Sequence, residues 1–316
     1  EHLDGVRRDV VRHVDALRQS AAEEEAVEPI LQRYRVNLLV DHAGTSGAPV
    51  VYEDLPSFPH LVGRTEHRVT SGMLTTDFSL IRAGALHRAN GGYLVLDAFR
   101  VLTQPFAWDA LKRALYAGEL KLDTLEQIYS LIATVSLQPE PIPLDVKIVL
   151  LGDRMLYYLL AAHDPDFAEL FKVEADFEDD IAREPASQGL YARLLATLAR
   201  RASLRPLDPG GVARVIKQGA RLVEDAERVT LHARELTDLL SEADFRAGEA
   251  GAERISAEHV QAAIDAQQRR ASRVRERMER AIQRDTIHLQ TEGEAVGQVN
   301  GLAVMQLGHH AFGKGS

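Results

Sequence analysis

The sequence contains no cysteine and no long apolar run. Without cysteine among its 316 residues, the chain excludes disulfides, thiolate metal sites and a cysteine nucleophile together. No apolar run reaches the roughly 18 residues that a membrane span requires. The remaining composition, 45% hydrophobic and 27% charged residues, is ordinary for a soluble globular protein with two or three domains. We expect a cytoplasmic protein with no membrane partner.

The sequence also lacks an initial methionine and a positive net charge. Glu1 opens a charged, amphipathic segment that has neither the apolar core nor the cleavage site of a signal peptide, so we expect the chain to start inside a longer polypeptide. A formal net charge of -10 argues against broad nucleic-acid binding, which needs a basic face to displace counterions from phosphates. The arginine-rich stretch 269–284 is a local exception, and DNA binding by it is an alternative to a solvated or intersubunit face.

An apolar run that ends in an aspartate is the most informative motif present. Residues 93–96 are apolar and Asp97 follows them, as in the strand with which P-loop ATPases hold magnesium. Such a strand serves a G-x-x-x-x-G-K-S/T loop that cradles phosphates, and the sequence contains no match to that loop. We therefore predict half of a nucleotide site. Asp97 is either a magnesium ligand or a carboxylate hydrogen-bonded to a nearby backbone amide.

Alternating strand and helix signals predict a parallel α/β sheet followed by helices. We predict strands at 36–40, 49–52, 93–96 and 146–151, a helix at 108–117, and a loop at 56–72. Apolar residues at helical spacing near the start predict an arm that either packs on the domain or belongs to a coiled coil. From Ser187 onward strand signals stop, and helices are predicted at 190–201, 209–225, 231–246 and 257–283, the last with Ser256 as its N-cap.

The order of these parts resembles the AAA+ module of Lon-like proteases, in their LonB and LonC branch. The residues that carry the resemblance lie at 37–41, 47–51 and 61–67, and in the Gly-Ala-Leu-His-Arg-Ala-Asn-Gly-Gly run at 84–92. Residues 293–304 resemble the opening of a Lon protease domain. The resemblance implies four parts: a helical arm at 1–34, an AAA+-like α/β subdomain at 35–186, an all-helical lid and linker at 187–284, and an incomplete protease domain at 285–316.

Departures from the family pattern favour the LonC group, in which the AAA-like part has degenerated and cleavage proceeds without ATP. Ala98 and Phe99 stand where an active ATPase places a glutamate that polarises water. The segment 164–171 contains no arginine where a neighbouring subunit would offer an arginine finger. Ser241 aligns, to within a helical turn, with the position at which the family usually has the arginine of its second sensor. We therefore expect no cofactor. We expect ATP and magnesium as cofactors only if a P-loop lies upstream of Glu1.

The resemblance also implies a homo-hexameric ring that admits unfolded polypeptides to Ser–Lys protease sites. The motif that carries the catalytic serine is not present here, so we assign no catalytic residue and no metal ligand set to this chain. In a ring, an apolar loop would grip the substrate, and we predict that it comprises Phe58, His60, Leu61 and Val62 with Met73 and Leu74. The alternative for these residues is a loop folded onto its own domain. The alternative functions are an ATP-driven unfoldase and a scaffold or DNA-binding adaptor.

Overall fold

The computed structural model describes residues 2–15, 34–70, 73–122, 137, 139–284, 286–287, 292–294, 296–297, 301–307 and 310–315. The chain forms two compact units, Glu1–Ala175 and Asp176–Ser316, and each has its own apolar core. Most of the predicted arm, at 16–33, lies outside the described residues. Among the described helices, none has both the length and the apolar character that a bilayer crossing requires.

The first unit contains a parallel sheet, short helices and several two-stranded ladders. Its helices are α1 (His2–Arg12), α2 (Phe58–Val62), α3 (Ala85–Arg88), α4 (Ala98–Thr103), α5 (Ala107–Ala117), α6 (Arg154–His163) and α7 (Phe167–Leu170). Its strands are β1 (Val50–Glu53), β2 (Arg64–Thr65), β3 (Arg68–Thr70), β4 (Met73–Thr75), β5 (Ile81–Arg82), β6 (Tyr93–Asp97), β7 (Glu119–Leu120), β8 (Ile142–Pro143) and β9 (Lys147–Leu151).

Strands β1, β6 and β9 form the sheet in that order, and all are parallel. Val50 is level with Tyr93, and Tyr93 is level with Lys147, so the three strands start at the same edge. The α/β class and the predicted strands at 49–52, 93–96 and 146–151 are therefore confirmed, as is the helix at 108–117. The continuous apolar run of β6 suits the central position, where a strand has neighbours on both sides.

One face of this sheet packs against helices. Leu94 and Leu96 of β6 are inaccessible to solvent and share a core with Leu61 of α2, Leu86 of α3 and Leu111 of α5. Successive strand residues point to opposite faces, so one set of alternating positions supplies this core. Burial of a leucine side chain of this kind contributes about 1.5–3 kcal/mol, which makes the helical side the main source of cohesion in the unit.

The opposite face of the sheet is open to solvent. The exposed fraction is 70% for Val50, 57% for Tyr52, 45% for Tyr93 and 50% for Leu151. These positions alternate with the buried ones along their strands. Since parallel sheets are normally covered on both faces, an apolar face left open is unusual.

The strand predicted at 36–40 is wrong. Residues 35–42 have no regular secondary structure. The segment is held by Asn37, whose side-chain amide donates to the carbonyl oxygens of Phe78 (2.8 Å) and Ile81 (3.1 Å). Apolar and β-branched residues favour a strand only where a sheet neighbour and a packing surface are available, and this segment is attached through a side chain instead.

The loop predicted at 56–72 is also wrong, because this stretch contains α2, β2 and β3. The signal that was missed is Pro59 in the first turn of α2, where a proline loses no intrahelical hydrogen bond. Gly63 ends the helix with φ 91°, a conformation that favours glycine, and its N–H donates to the carbonyl oxygen of Pro59 at 3.0 Å.

The 84–92 run connects the central strand to the segment that precedes β9. The side chain of Asn90 donates to the carbonyl oxygen of Pro143 (2.9 Å) and accepts from the N–H of Asp145 (2.8 Å). The N–H of Gly91 donates to the carbonyl oxygen of Asp145 at 2.7 Å. One amide side chain and one glycine backbone therefore set where β9 enters the sheet.

The same run also sets where β1 meets β6. Gly92 lies so close to Pro49 that an added Cβ would meet the Pro49 carbonyl oxygen. The N–H of Tyr93 donates to that oxygen at 2.8 Å, and the N–H of Lys147 donates to the carbonyl oxygen of Gly92 at 2.9 Å. Only a residue without a side chain permits this approach. The glycine at position 92 is therefore required by strand packing, independently of any ligand.

The second unit is helical around its own core, with two short strand pairs. Its helices are α8 (Pro185–Arg201), α9 (Pro209–Val223), α10 (Ala233–Glu249), α11 (Ala257–Ala271) and α12 (Arg273–Gln283). Its strands are β10 (Asp180–Ala182), antiparallel to β11 (Arg228–Thr230), and β12 (Leu302–Leu307), antiparallel to β13 (His310–Gly315). Tyr191, Leu195, Leu236, Leu240 and Ile264 are among its core residues.

The helical segments predicted for this unit are confirmed, with two differences. The pair β10 and β11 was not predicted, because three residues are too few to show an alternating pattern. The segment predicted as one helix at 257–283 is two helices, which meet at Ser272. Ser256 is the N-cap of α11, as predicted, and its side chain accepts from the N–H of His259.

We expect Gly92→Ala to lower the free energy of unfolding of the first unit by about 1–3 kcal/mol, because overpacking forces neighbouring atoms apart. Urea unfolding followed by Trp108, the one tryptophan of the chain, measures this unit. Gly44→Ala is the matched control, since a Cβ at Gly44 meets nothing within 4 Å. Equal midpoints for the two variants would show that the close approach at Gly92 is not limiting.

Candidate functional site

The candidate site is the carboxyl end of the sheet, where Asp97 ends β6. The Asp97 carboxylate is the N-cap of α4 and accepts from the N–H of Arg100 at 2.9 Å. The guanidinium of Arg100 donates in turn to the carbonyl oxygen of Asp54 at 2.6 Å. The carboxylate thus satisfies a backbone donor at a helix start, the second of the two roles that the sequence left open.

Neither of the two residues that follow Asp97 supplies a carboxylate. Ala98 is buried, and an added Cβ on Gly152, just after β9, would lie 3.2 Å from the Cβ of Ala98. Phe99 is exposed. Asp153, at the end of β9, is the N-cap of α6 and accepts from the N–H of Met155 at 2.7 Å. Asp97 and Asp153 therefore both cap helices, and the described residues contain no cluster of three or more metal-ligating side chains.

The segment predicted to lack an arginine finger carries an acidic and aromatic cluster instead. Asp164 accepts from Nε1 of Trp108 (2.6 Å) and from Nζ of Lys112 (3.0 Å), and Asp166 accepts from the same Nζ (2.9 Å). Burial alone would raise the pKa of Asp164, but the hydrogen bonds from Trp108 and Lys112 hold that pKa below its usual value. Phe171 stacks on Trp108 at a centroid distance of 5.7 Å. The segment is therefore bonded to α5, and the carboxylates of Asp164 and Asp166 have hydrogen-bond partners within the unit.

His87, within the 84–92 run, is a buried titratable group. Its Nδ1 accepts from the N–H of Gly84 at 3.2 Å, while its Nε2 is buried without a hydrogen-bond partner. Burial lowers its pKa from 6.5 to about 4, so the ring is neutral at pH 7. The neighbouring Arg88 forms an ion pair of 2.6 Å with Glu53, which is itself nearly inaccessible.

The prediction of a substrate-gripping loop is wrong for Phe58, Leu61 and Val62. These three side chains are buried in the core of the first unit, because α2 turns its apolar side toward α3 and α5. His60 is half-buried, and its Nδ1 lies 2.6 Å from the Oγ of Ser57, which fixes it at the start of the same helix. For these residues the alternative, a segment folded onto its own domain, is what the structure shows.

Met73 and Leu74 belong instead to β4, in the inner part in sequence of two successive two-stranded ladders. The base of these ladders is the pair β2 and β5, and beyond it β3 pairs with β4. Glu66 holds the base, because its carboxylate binds both Arg64 (2.9 Å) and Arg82 (2.9 Å). The hydrogen bonds from Arg82 and then Arg64 hold the pKa of Glu66 below its usual value. Val69 on β3 is 68% exposed, so the β3–β4 ladder presents an apolar side chain to solvent.

Comparison with known proteins agrees with this architecture. Residues 46–178 match the family model described as the LonB-like AAA domain, and residues 206–270 match the archaeal LonB AAA+ ATPase LID domain. Each match falls mainly within one of the two structural units. The fold and site therefore define an AAA-type module. Both matches are to Lon-like proteins, and because both descriptions name LonB, the finer assignment to the LonC branch stays a prediction.

The relatives are considerably longer than this chain. A Lon protease homolog from Escherichia coli is 26% identical over 239 residues, which cover 75% of this chain and 39% of the relative. The archaeal Lon protease of Archaeoglobus fulgidus is 28% identical over 278 residues, which cover 85% of this chain and 43% of the relative. The chain therefore spans about two fifths of the relatives it matches. A Thermotoga maritima RuvB mutant structure has 12% identity and a TM-score of 0.37 over 58% of this chain and 47% of that one, which is too distant to argue from.

We expect Asp97→Asn to leave stability nearly unchanged and Asp97→Ala to lower the free energy of unfolding by about 1 kcal/mol, because asparagine retains the capping oxygen and alanine does not. Urea unfolding with and without magnesium measures both effects. A stabilisation by magnesium in the parent chain that Asp97→Asn abolishes would show that Asp97 is a metal ligand after all.

We expect His87 to make the folded state less stable in acid. The unfolded chain takes up this proton near pH 6.5 and the folded chain only near pH 4, so the contribution is intact above pH 6.5 and is lost as the pH falls toward 4. The loss is on the order of 3 kcal/mol. Unfolding free energies between pH 7 and pH 4 should vary less in His87→Gln. The exposed His42→Gln is the control, and an equally flat profile for it would contradict the assignment.

Proposed function

We propose that this chain is the substrate-handling module of a Lon-like Ser–Lys protease that degrades unfolded polypeptides with little or no ATP hydrolysis, as in the LonC group. The observation that carries the proposal is the use of Asp97 as a helix cap directly before Ala98 and Phe99. A hydrolytic site needs a base for the attacking water and charge that stabilises the transition state. Ala98 and Phe99 supply neither, and Asp164 and Asp166 occupy the segment in which the family's arginine finger would lie.

The module acts by building a homo-hexameric cytoplasmic ring whose vestibule admits unfolded chains, while the rest of the polypeptide supplies the serine and lysine. The element best suited to touch substrate is the β3–β4 ladder. It stands on a base fixed by Glu66 and exposes Val69. An exposed apolar side chain on a two-stranded ladder binds extended polypeptide through apolar contact without selecting a sequence.

The second candidate is an ATP-dependent unfoldase whose P-loop lies upstream, and the open sheet face favours it. Val50, Tyr52 and Leu151 are all at least half exposed on that face. Residues 172–179 follow the first unit's last helix without regular structure, and Val173 and Phe177 among them are largely exposed. Because parallel sheets are covered on both faces, a further strand and helix from the longer polypeptide fit here. A scaffold or DNA-binding adaptor has only the arginines of α12 in its favour.

We expect the full-length parent protein to degrade an unfolded model substrate at the same rate with and without ATP and magnesium, and to leave a folded substrate intact. The reason is that a passive gate admits only chains that are already unfolded. Gel-based degradation of an unfolded and a folded substrate measures this. Cleavage that requires ATP would contradict ATP independence and favour the unfoldase, whereas no cleavage under either condition would favour the adaptor.

We expect Val69→Ser with Leu74→Ser to slow degradation of an unfolded substrate by the full-length protein roughly tenfold, because each buried apolar contact contributes about 1 kcal/mol or more to substrate binding. Cleavage of a short peptide that needs no gripping should be unchanged. Val11→Ser is the control, since Val11 of α1 is exposed to the same extent, 68%. Equal slowing by Val11→Ser, or equal loss of peptide cleavage, would exclude a gripping role for the β3–β4 ladder.

A further inference from the structure

Helix α12 carries two adjacent stripes of opposite character. At about 100° per residue, positions three, four, seven and eight apart share a face. One stripe is basic and consists of Arg273, Arg277, Arg280 and Arg284. The stripe beside it is apolar and consists of Val274, Met278, Ala281 and Ile282. No residue of α12 is buried, and Val274 is 40% exposed, so both stripes are at least partly open to solvent in the described structure.

The acidic residues of α12 do not neutralise its basic stripe. Glu279 pairs with Arg275 at 2.7 Å, and Arg275 lies on the opposite side of the helix. Glu276 accepts from the hydroxyl of Ser272 at 2.6 Å. Among the described residues, Arg273, Arg277 and Arg284 have no ion pair or side-chain hydrogen bond. The helix therefore keeps a net positive face in a protein whose formal net charge is -10.

A groove of complementary character lies elsewhere in the second unit. Two adjoining cavities of about 480 and 400 Å³ share Asp179, His232 and Glu235. Leu222, Val223 and Leu231 contribute its apolar part. Its acidic side chains are Glu178, Asp179, Asp180, Glu224 and Glu235. Arg221 and Arg234 also line it, and Asp180 pairs with Arg228, so the acidic excess is partial.

The acidic groove has the kind of lining that an amphipathic helix requires. Leu222 is 37% exposed, so the apolar part is accessible from solvent. Helices bind grooves by placing an apolar stripe on an apolar floor while polar residues meet the rim. On α12 the basic stripe adjoins the apolar one, and in the groove acidic side chains adjoin the leucines. The two surfaces therefore match in both apolar character and charge sign.

We propose that α12 of one copy of the chain docks in the acidic groove of the next copy. The two surfaces are different patches of one molecule, so the contact is heterologous, and contacts of this kind close into rings or extend as filaments. The proposal rests on the ring-building role proposed above and identifies the surfaces that would perform it. It needs no protease activity, so an association assay separates its failure from failure of the proteolytic role.

The test is a charge swap measured by sedimentation velocity on the 316-residue chain. We expect the unmodified chain to self-associate and to dissociate as salt is raised, because screening weakens charge pairing between exposed groups. A helix variant, Arg273→Glu with Arg277→Glu, and a groove variant, Glu178→Arg with Glu224→Arg, should each weaken association about tenfold or more. Mixing the two variants should restore it, since each altered surface then meets its complement.

The control variant is Arg193→Glu with Arg200→Glu, which makes the same charge change on α8 of the same unit and should associate like the unmodified chain. Far-ultraviolet circular dichroism verifies that every variant is folded. Three results would overturn the proposal: a monomeric unmodified chain at all concentrations and salts, a helix variant that associates normally, or a mixture that stays dissociated. Binding of α12 to duplex DNA or anionic vesicles by a chain that remains monomeric would overturn it as well.

Discussion

The first unit depends on the close contact between the 84–92 run and the starts of its three parallel strands. Gly92 allows β6 to approach Pro49 closely. The side chain of Asn90 donates one hydrogen bond to the segment before β9 and accepts another from it. A parallel sheet has no tight turns between neighbouring strands, so its register must be set by such cross-connections. Once the strand starts are aligned, Leu94 and Leu96 face α2, α3 and α5. Asp97 then lies at the opposite edge of the sheet, level with Leu151 of β9.

That alignment gives the apolar strand and its final aspartate a structural role that needs no nucleotide chemistry. At the carboxyl edge, Asp97 and Asp153 each begin a helix, and both carboxylates are occupied by backbone donors. An N-cap contributes about 1 kcal/mol to stability, which is a sufficient physical reason to keep an aspartate there. Hydrolysis needs additional groups around such a carboxylate, and Ala98 is buried beside Gly152, where it provides none.

The sequence predicted those parts of the fold in which local pattern and burial agree. The apolar runs of β6 and β9 and the helical periodicity of α8 to α11 are strong signals, because many residues share one environment. The segment at 36–40 was misjudged because its attachment depends on a single side chain, Asn37, bonded to a distant turn. The prediction for Phe58, Leu61 and Val62 is wrong because the local signals of a five-residue helix, Pro59 and Gly63, are also typical of loops. The cap role of Asp97 depends on backbone geometry just after a strand, so the sequence left it open.

Covering the open face of the sheet and hydrolysing a nucleotide are separate physical requirements, and meeting one does not meet the other. Exposed Val50, Tyr52 and Leu151 indicate that apolar surface of the sheet needs a cover, which any strand or helix of a longer polypeptide can provide. Whether that cover brings phosphate-binding amides is a matter of its own sequence. Even a complete phosphate loop would meet an edge where Asp97 caps α4 and Ala98 replaces the base. Phosphate binding and hydrolysis therefore make separate demands on such a module, and Ala98 and Phe99 bear on hydrolysis.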